Sequence, residues 1–193
     1  MNLLFFINAI LFGIGLAMDA FSVSMANGLN EPKMTKSRMV LIAGTFCAFQ
    51  IAMPLIGWLC VHTIAEYFSA FQKFIPWIAL ILLAYIGGKM VVEGIKNKGE
   101  ETLAAVGLGE LFVQGVATSI DALSVGFTIA NLGFIPALVE SLIIGIVTFG
   151  ICIGGLIIGK KFGTMLSNKA SILGGCILIA IGMEIFIKGI FGL

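Results

Sequence analysis

Charge is what this sequence has least of. Only 11% of its 193 residues are Asp, Glu, Lys or Arg, against about a quarter in an ordinary soluble domain. The net charge is +1 and there is no basic tail, so nothing points to nucleic acid. Cysteine is scarce too. The four present (Cys47, Cys60, Cys152 and Cys176) lie in apolar runs and form no C-x-x-C pair, so they read as small hydrophobic side chains. Histidine occurs once, as His62, too few for a histidine metal centre. There is no glycine-rich phosphate loop, no metalloprotease His-Glu motif and no nucleophile elbow. These absences exclude nucleotide-driven chemistry and the common hydrolases, so we expect neither an enzyme nor a resident cofactor.

Apolar residues make up 60% of the chain and the mean hydropathy is +1.14. A soluble core of this size could not hide so much apolar surface, so a lipid bilayer is expected to cover much of it. Charged residues divide the sequence into apolar runs at 3–26, 39–61, 74–95, 107–131, 134–159 and 170–191. Each is long enough to cross ~30 Å of hydrocarbon. Backbone polar groups must be satisfied within each segment, so the runs should be helices. Pro136 fits the first turn of the fifth. The N-terminal stretch lacks a charged leader and contains Asp19, and is expected to be a mature first span rather than a signal peptide. The fold class expected is an all-α integral membrane protein of six transmembrane helices.

Nine of the 11 basic residues (Lys33, Lys36, Arg38, Lys89, Lys96, Lys98, Lys160, Lys161 and Lys169) fall on one side of that arrangement, and Lys73 and Lys188 on the other. The positive-inside rule then places both termini outside the cytoplasm.

The two halves of the chain resemble each other. Met18-Asp19-Ala20-Phe21-Ser22-Val23 matches Ile120-Asp121-Ala122-Leu123-Ser124-Val125. Pro54-Leu55-Ile56-Gly57 sits against Cys152-Ile153-Gly154-Gly155, and Gly94-Ile95 against Gly189-Ile190. With three spans per half, the second must enter the membrane inverted. The expected organisation is a first three-helix repeat over 1–95, a cytoplasmic linker over 96–106 and an inverted repeat over 107–193.

An ionised aspartate at a helix centre costs at least ~2.5 kcal/mol, and such residues face a bundle interior or water. Asp19 should lie ~12 Å, and Asp121 roughly 15–20 Å, from the cytoplasmic side, so the two could meet near the middle. Gly15, Asp19, Ser22 and Ala26 share one helix face; Ala117, Asp121, Ser124 and Thr128 share another. Two carboxylates with hydroxyl and amide oxygens make a hard oxygen site suited to Mg²⁺, Ca²⁺ or Mn²⁺. Gln50 and Thr148, which occupy corresponding positions in the two halves, are further candidate ligands. Asn27 and Asn131 are expected to be helix caps. Pro54 either opens its helix and frees backbone carbonyls or merely kinks it. Lys89 with Glu93, and Glu184 with Lys188, are i, i+4 pairs with their signs exchanged; they read as interfacial ion pairs, or as a gate or proton relay. Glu110 and Glu140 stand near helix starts, where negative charge suits the dipole.

These motifs, together with Gln50-x-x-x-Pro54-Leu55-Ile56-Gly57-Trp58, Gly87-Gly88-Lys89-Met90-x-x-Glu93-Gly94 and Gly174-Gly175, resemble the bacterial manganese efflux pump family, MntP, over essentially the whole chain. In some members a glutamate stands where this chain has Gln50. The resemblance implies Mn²⁺ as transported substrate, export from the cytoplasm, residence in the bacterial inner membrane and kinship with the lysine-exporter superfamily. An inside-negative potential opposes export of a divalent cation, so proton antiport is the expected coupling. Two other readings remain. An exporter of an amino acid or another cation would need a carboxylate-binding group, for which Lys89 is the candidate. An intramembrane aspartyl protease would use the two aspartates as a shared-proton dyad, but the Gly-x-Gly-Asp pattern of that class is missing.

Overall fold

The computed structural model describes residues 2–63, 75–96, 106–166 and 170–191. All regular structure among the described residues is helical: α1 (Leu3–Asn30), α2 (Lys36–Thr63), α3 (Ile75–Lys96), α4 (Leu108–Thr118), α5 (Ile120–Thr128), α6 (Phe134–Leu166) and α7 (Ala170–Phe191). Helices α4 and α5 follow one another and together make the fourth expected span. Four segments are long and apolar enough to cross a membrane: Leu3–Asn30, Lys36–Val61, Leu108–Thr128 and Phe134–Gly163. Helices α3 and α7 contribute the shorter apolar stretches Leu83–Val92 and Ile172–Glu184. Most of the expected linker, 97–105, lies outside the described residues.

Helices α1, α2 and α6 outrun the apolar stretches that announce them. Helix α1 continues to Asn30, where the Glu31 N–H donates to the Asn27 carbonyl at 3.0 Å and closes the last turn. Helix α6 has 33 residues, or ~50 Å at the standard rise, and so outreaches a ~30 Å hydrocarbon layer. Pro136 lies in its first turn, as expected. Pro54 does not open α2, which runs unbroken from Lys36 to Thr63. Glu140 is not at a helix start; it is six residues into α6 (140 − 134) and 4% exposed.

Packing is between helices distant in sequence. Helix α1 lies on α6 and α7, α2 on α5 and α6, α3 on α7, and α4 on α3 and α2. Small residues set the spacing, as in membrane bundles generally. A Cβ on Gly57 would stand 2.3 Å from the Leu123 carbonyl oxygen, and one on Gly155 2.7 Å from that of Phe21. Between α3 and α7, a Cβ on Gly87 would meet the Gly175 oxygen at 2.6 Å and Leu178 Cβ at 3.1 Å; one on Gly182 would meet Leu83 Cβ at 3.0 Å and the Leu80 oxygen at 3.6 Å. Two apolar clusters fill the interior. One joins Ile42, Phe46, Leu83, Leu111, Leu156 and Leu178; the other joins Leu16, Ala122, Val125, Ile129, Ala137 and Ile144. Outside them, apolar side chains such as Leu3, Leu4, Leu11, Ile146 and Tyr85 are exposed, the distribution of a protein whose solvent is lipid.

Candidate functional site

The fourth span breaks just before its aspartate. Thr118 Oγ1 donates to the Gln114 carbonyl at 2.9 Å, and Ser119 Oγ to the Gly115 carbonyl at 2.6 Å. Hydroxyls that bond back onto the preceding turn compete with the helical ladder and bend it. Ser119 takes φ −113° and ψ 8°, ending α4 and starting α5. Asp121 therefore stands in the first turn of α5, where backbone N–H groups have no helical acceptor, and its Oδ1 accepts from the Ala122 N–H at 2.8 Å. Asp19 instead occupies the middle of a continuous α1.

Gln50 ties α1 to the end of α4, just before the break. It is fully buried, and its Nε2 donates to the Leu16 carbonyl at 3.3 Å and the Thr118 carbonyl at 3.2 Å. Each carbonyl lies three residues before an aspartate (19 − 16 and 121 − 118). With both amide protons engaged, the Gln50 Oε1 is left buried with no hydrogen-bond partner among the described residues. Its backbone carbonyl also loses the donor it would have had four residues on, because Pro54 has no N–H.

The other predicted residues distribute unevenly. Asp19 and Ser22 are half-buried, whereas Asp121, Ser124 and Thr128 are exposed. Ser22 Oγ donates to the Met18 carbonyl at 3.0 Å, and Thr148 Oγ1 to the Ile144 carbonyl at 2.9 Å; each hydroxyl proton is spent on its own helix, leaving the oxygen's lone pairs. Thr148 is buried. No three of His, Cys, Asp and Glu converge as a metal cluster among the described residues.

A separate polar group lies at the lysine-rich end of the bundle, and the sequence pattern did not announce it. Asn27 Nδ2 donates to Gln114 Oε1 at 2.8 Å, and Gln114 Nε2 donates back to Asn27 Oδ1 at 3.2 Å. The Asn27 carbonyl caps α1, but its side chain reaches across to α4. Lys89 pairs with Glu110 of α4, while the side chain of Glu93, its expected partner, lies outside the described residues, as does that of Lys188. Glu184 is exposed. Glu110 also accepts from the Gly107 N–H at 3.3 Å, capping α4. Arg38 bonds Glu31 at 3.5 Å and donates to the Val106 carbonyl; Lys160 donates to the Met34 carbonyl at 2.6 Å. At the other end, Trp58 Nε1 donates to the Leu132 carbonyl at 2.9 Å, and Asn131 is exposed in the turn after α5.

Long apolar helices with exposed apolar faces, two acidic motifs and buried amides between helices define a polytopic membrane protein. Comparison with known proteins makes this specific. Residues 33–186 match the family model described as "Putative manganese efflux pump". The chain is 43% identical to "Putative manganese efflux pump MntP 2" of Clostridium botulinum, with 94% of each chain covered. It is 41% identical to the MntP of Clostridium perfringens, again with 94% of each covered. It is 42% identical to that of Methanobrevibacter smithii, covering 94% of this chain and 96% of the relative. The chain belongs to the MntP family, whose members carry the names of pumps rather than enzymes. No solved structure matches it.

Proposed function

We propose that this protein is a secondary transporter that exports Mn²⁺ from the cytoplasm by proton antiport, through a site built on Asp19 and Asp121 with Ser22, Ser124, Gln50 and Thr148 in support. The names of the relatives supply the metal and the direction. The observation that carries the site is Gln50: one buried amide bonded to α1 and to the fourth span three residues before each aspartate, its oxygen without a partner among the described residues. A hard divalent cation takes carboxylate and amide oxygens of this kind.

The inverted repeat is part of the same reading. Exchanging the halves carries α1 on α6 into the fourth span on α2, and leaves the α2–α6 and α3–α7 pairings unchanged. The register that matches Asp19 with Asp121 and Pro54 with Cys152 carries the Gly57–Leu123 approach into the Gly155–Phe21 approach, and the Gly13–Val147 approach into the Gly115–Phe49 approach. Such symmetry suits alternating access, in which one repeat rocks against the other around a fixed site. By the distribution of lysines, the end bearing Lys89, Lys160 and Arg38 is cytoplasmic and both termini are outside. Lys89, the cation an amino-acid substrate would need, is occupied by Glu110, which favours a metal ion over an amino acid.

Each charge moved across 100 mV is worth ~2.3 kcal/mol, so export of a dication needs a second gradient. In inverted vesicles, a pH gradient acid inside should drive accumulation of radioactive manganese. Equal uptake with the gradient collapsed would remove the antiport claim; no uptake by wild type in either condition would remove the transport claim.

A further inference from the structure

We infer that Asn27 and Gln114 are the gate between the site and the lysine-rich end of the bundle, and that α4 is the element that moves when it opens. The inference rests on the alternating-access reading above.

Asn27 stands about two helical turns beyond Asp19, and Gln114 about two turns before Asp121, both towards the lysine-rich end. Both side chains are 0% exposed, and their reciprocal hydrogen bonds join α1 of one half to α4 of the other. A passage from that end to the aspartates along the α1–α4 seam is closed while they hold. The repeat does not reproduce this pair. In the register that matches the two aspartates, Asn27 corresponds to Ile129 and Gln114 to Phe12, so the equivalent positions at the opposite end carry no amide. The amide pair therefore belongs to the lysine-rich end alone.

Helix α4 is held by side chains: the Gln50 amide at Thr118, the Phe49 ring at Gly115 and Lys89 at Glu110. It is severed from α5 at Ser119, while α5 is fixed on α2 by the approach of Gly126 to Gly57, where an added Cβ would stand 2.7 Å from the facing Cα. Helix ends adjoining such breaks are where hinges absorb backbone rotation. A neutral amide pair also suits a cation path. It exchanges its bonds for water at small net cost, carries no charge to repel or trap a dication, and once open offers two amide oxygens to the ion.

The test uses the full chain in inverted vesicles, with its four native cysteines replaced by alanine. Cysteines placed by Asn27→Cys and Gln114→Cys are bridged with a short bis-thiol reagent that reductant cleaves. The expected result is loss of manganese flux on bridging and its return on reduction. Bridging with flux unchanged, or failure to bridge, overturns the proposal. A second arm does not depend on manganese. Ser22→Cys is labelled from the lysine-rich side with an impermeant maleimide. Asn27→Ala should raise the labelling rate roughly tenfold, the ratio that ~1.4 kcal/mol from two interhelical hydrogen bonds represents, and the swap Asn27→Gln with Gln114→Asn should restore it. An unchanged rate in Asn27→Ala overturns the gate even where manganese moves. If labelling responds but wild type moves no manganese, it is the substrate reading that fails.

Discussion

The two aspartate helices carry the same Asp-Ala-x-Ser-Val motif and differ in the two residues at the start of the turn before it. Helix α1 has Leu16-Ala17 there and is continuous; the fourth span has Thr118-Ser119 and breaks. The apolar pair leaves the backbone ladder alone, whereas two hydroxyls in succession bond back to Gln114 and Gly115 and take the chain out of helix. One aspartate therefore sits in mid-helix and the other at a helix start, where the dipole and free N–H groups favour negative charge. Repeated sequence here gives matched positions with unmatched electrostatics, so the two carboxylates are not interchangeable.

The sharpest way to break the comparison is to remove each carboxylate in turn. Asp19→Asn and Asp121→Asn should each lower manganese flux by more than the 10–100-fold typical of losing an outer-shell metal partner. Wild-type flux in either variant would show that the pair does not act as one site.

Next in size is the close packing of α2 on α5 and of α6 on α1. Gly57→Ala should lower the melting temperature in detergent by an amount corresponding to ~1–3 kcal/mol, since its Cβ would lie 2.3 Å from a backbone oxygen. Gly155→Ala, with 2.7 Å, should cost less. Gly154→Ala, with nothing within 4 Å, should be neutral or stabilise by up to about 1 kcal/mol, from alanine's better helix propensity. Equal loss at Gly154 would refute the packing assignment.

The break itself can be erased. Thr118→Leu with Ser119→Ala gives the fourth span the pair that α1 carries. Amide exchange around residues 118–122 should slow by about tenfold as the ladder re-forms, the factor that ~1.4 kcal/mol represents. If exchange does not slow, the hydroxyls are not what severs α4 from α5. The smallest effect should come from Lys89→Ala. Its ion pair ties α4 to α3 but is 44% exposed on the lysine side, so the loss of stability should be ~0–1 kcal/mol. A larger loss would mean that α4 is anchored more firmly than its break implies.

The membrane fold was legible because it follows from quantities that add up along the chain. Apolar runs long enough to span, and backbone groups satisfied only within a helix, need no knowledge of neighbours. The likeness of the Asp19 and Asp121 segments was legible for a related reason: it is a local motif. Side-chain partners across helices were not. Asn27 read as a cap because capping is local; its bond to Gln114 depends on α1 and α4 being neighbours. The bond of Lys89 to Glu110 likewise depends on α3 lying beside α4. The hydroxyls of Thr118 and Ser119 were in plain view, but a threonine or serine inside an apolar run more often leaves its helix intact.

What the sequence by itself determined is that this chain lives in lipid, as apolar helices with two costly carboxylates in matched motifs. Hydrophobic burial and backbone hydrogen bonding act residue by residue and turn by turn, so composition and period suffice. What only the tertiary structure decided is which oxygens share a neighbourhood: the Gln50 amide between two helices, the Asn27–Gln114 pair between α1 and α4, and the break between α4 and α5. Those depend on how each helix is rotated about its axis and which helix lies beside it, and that is set by close packing among residues far apart in the chain.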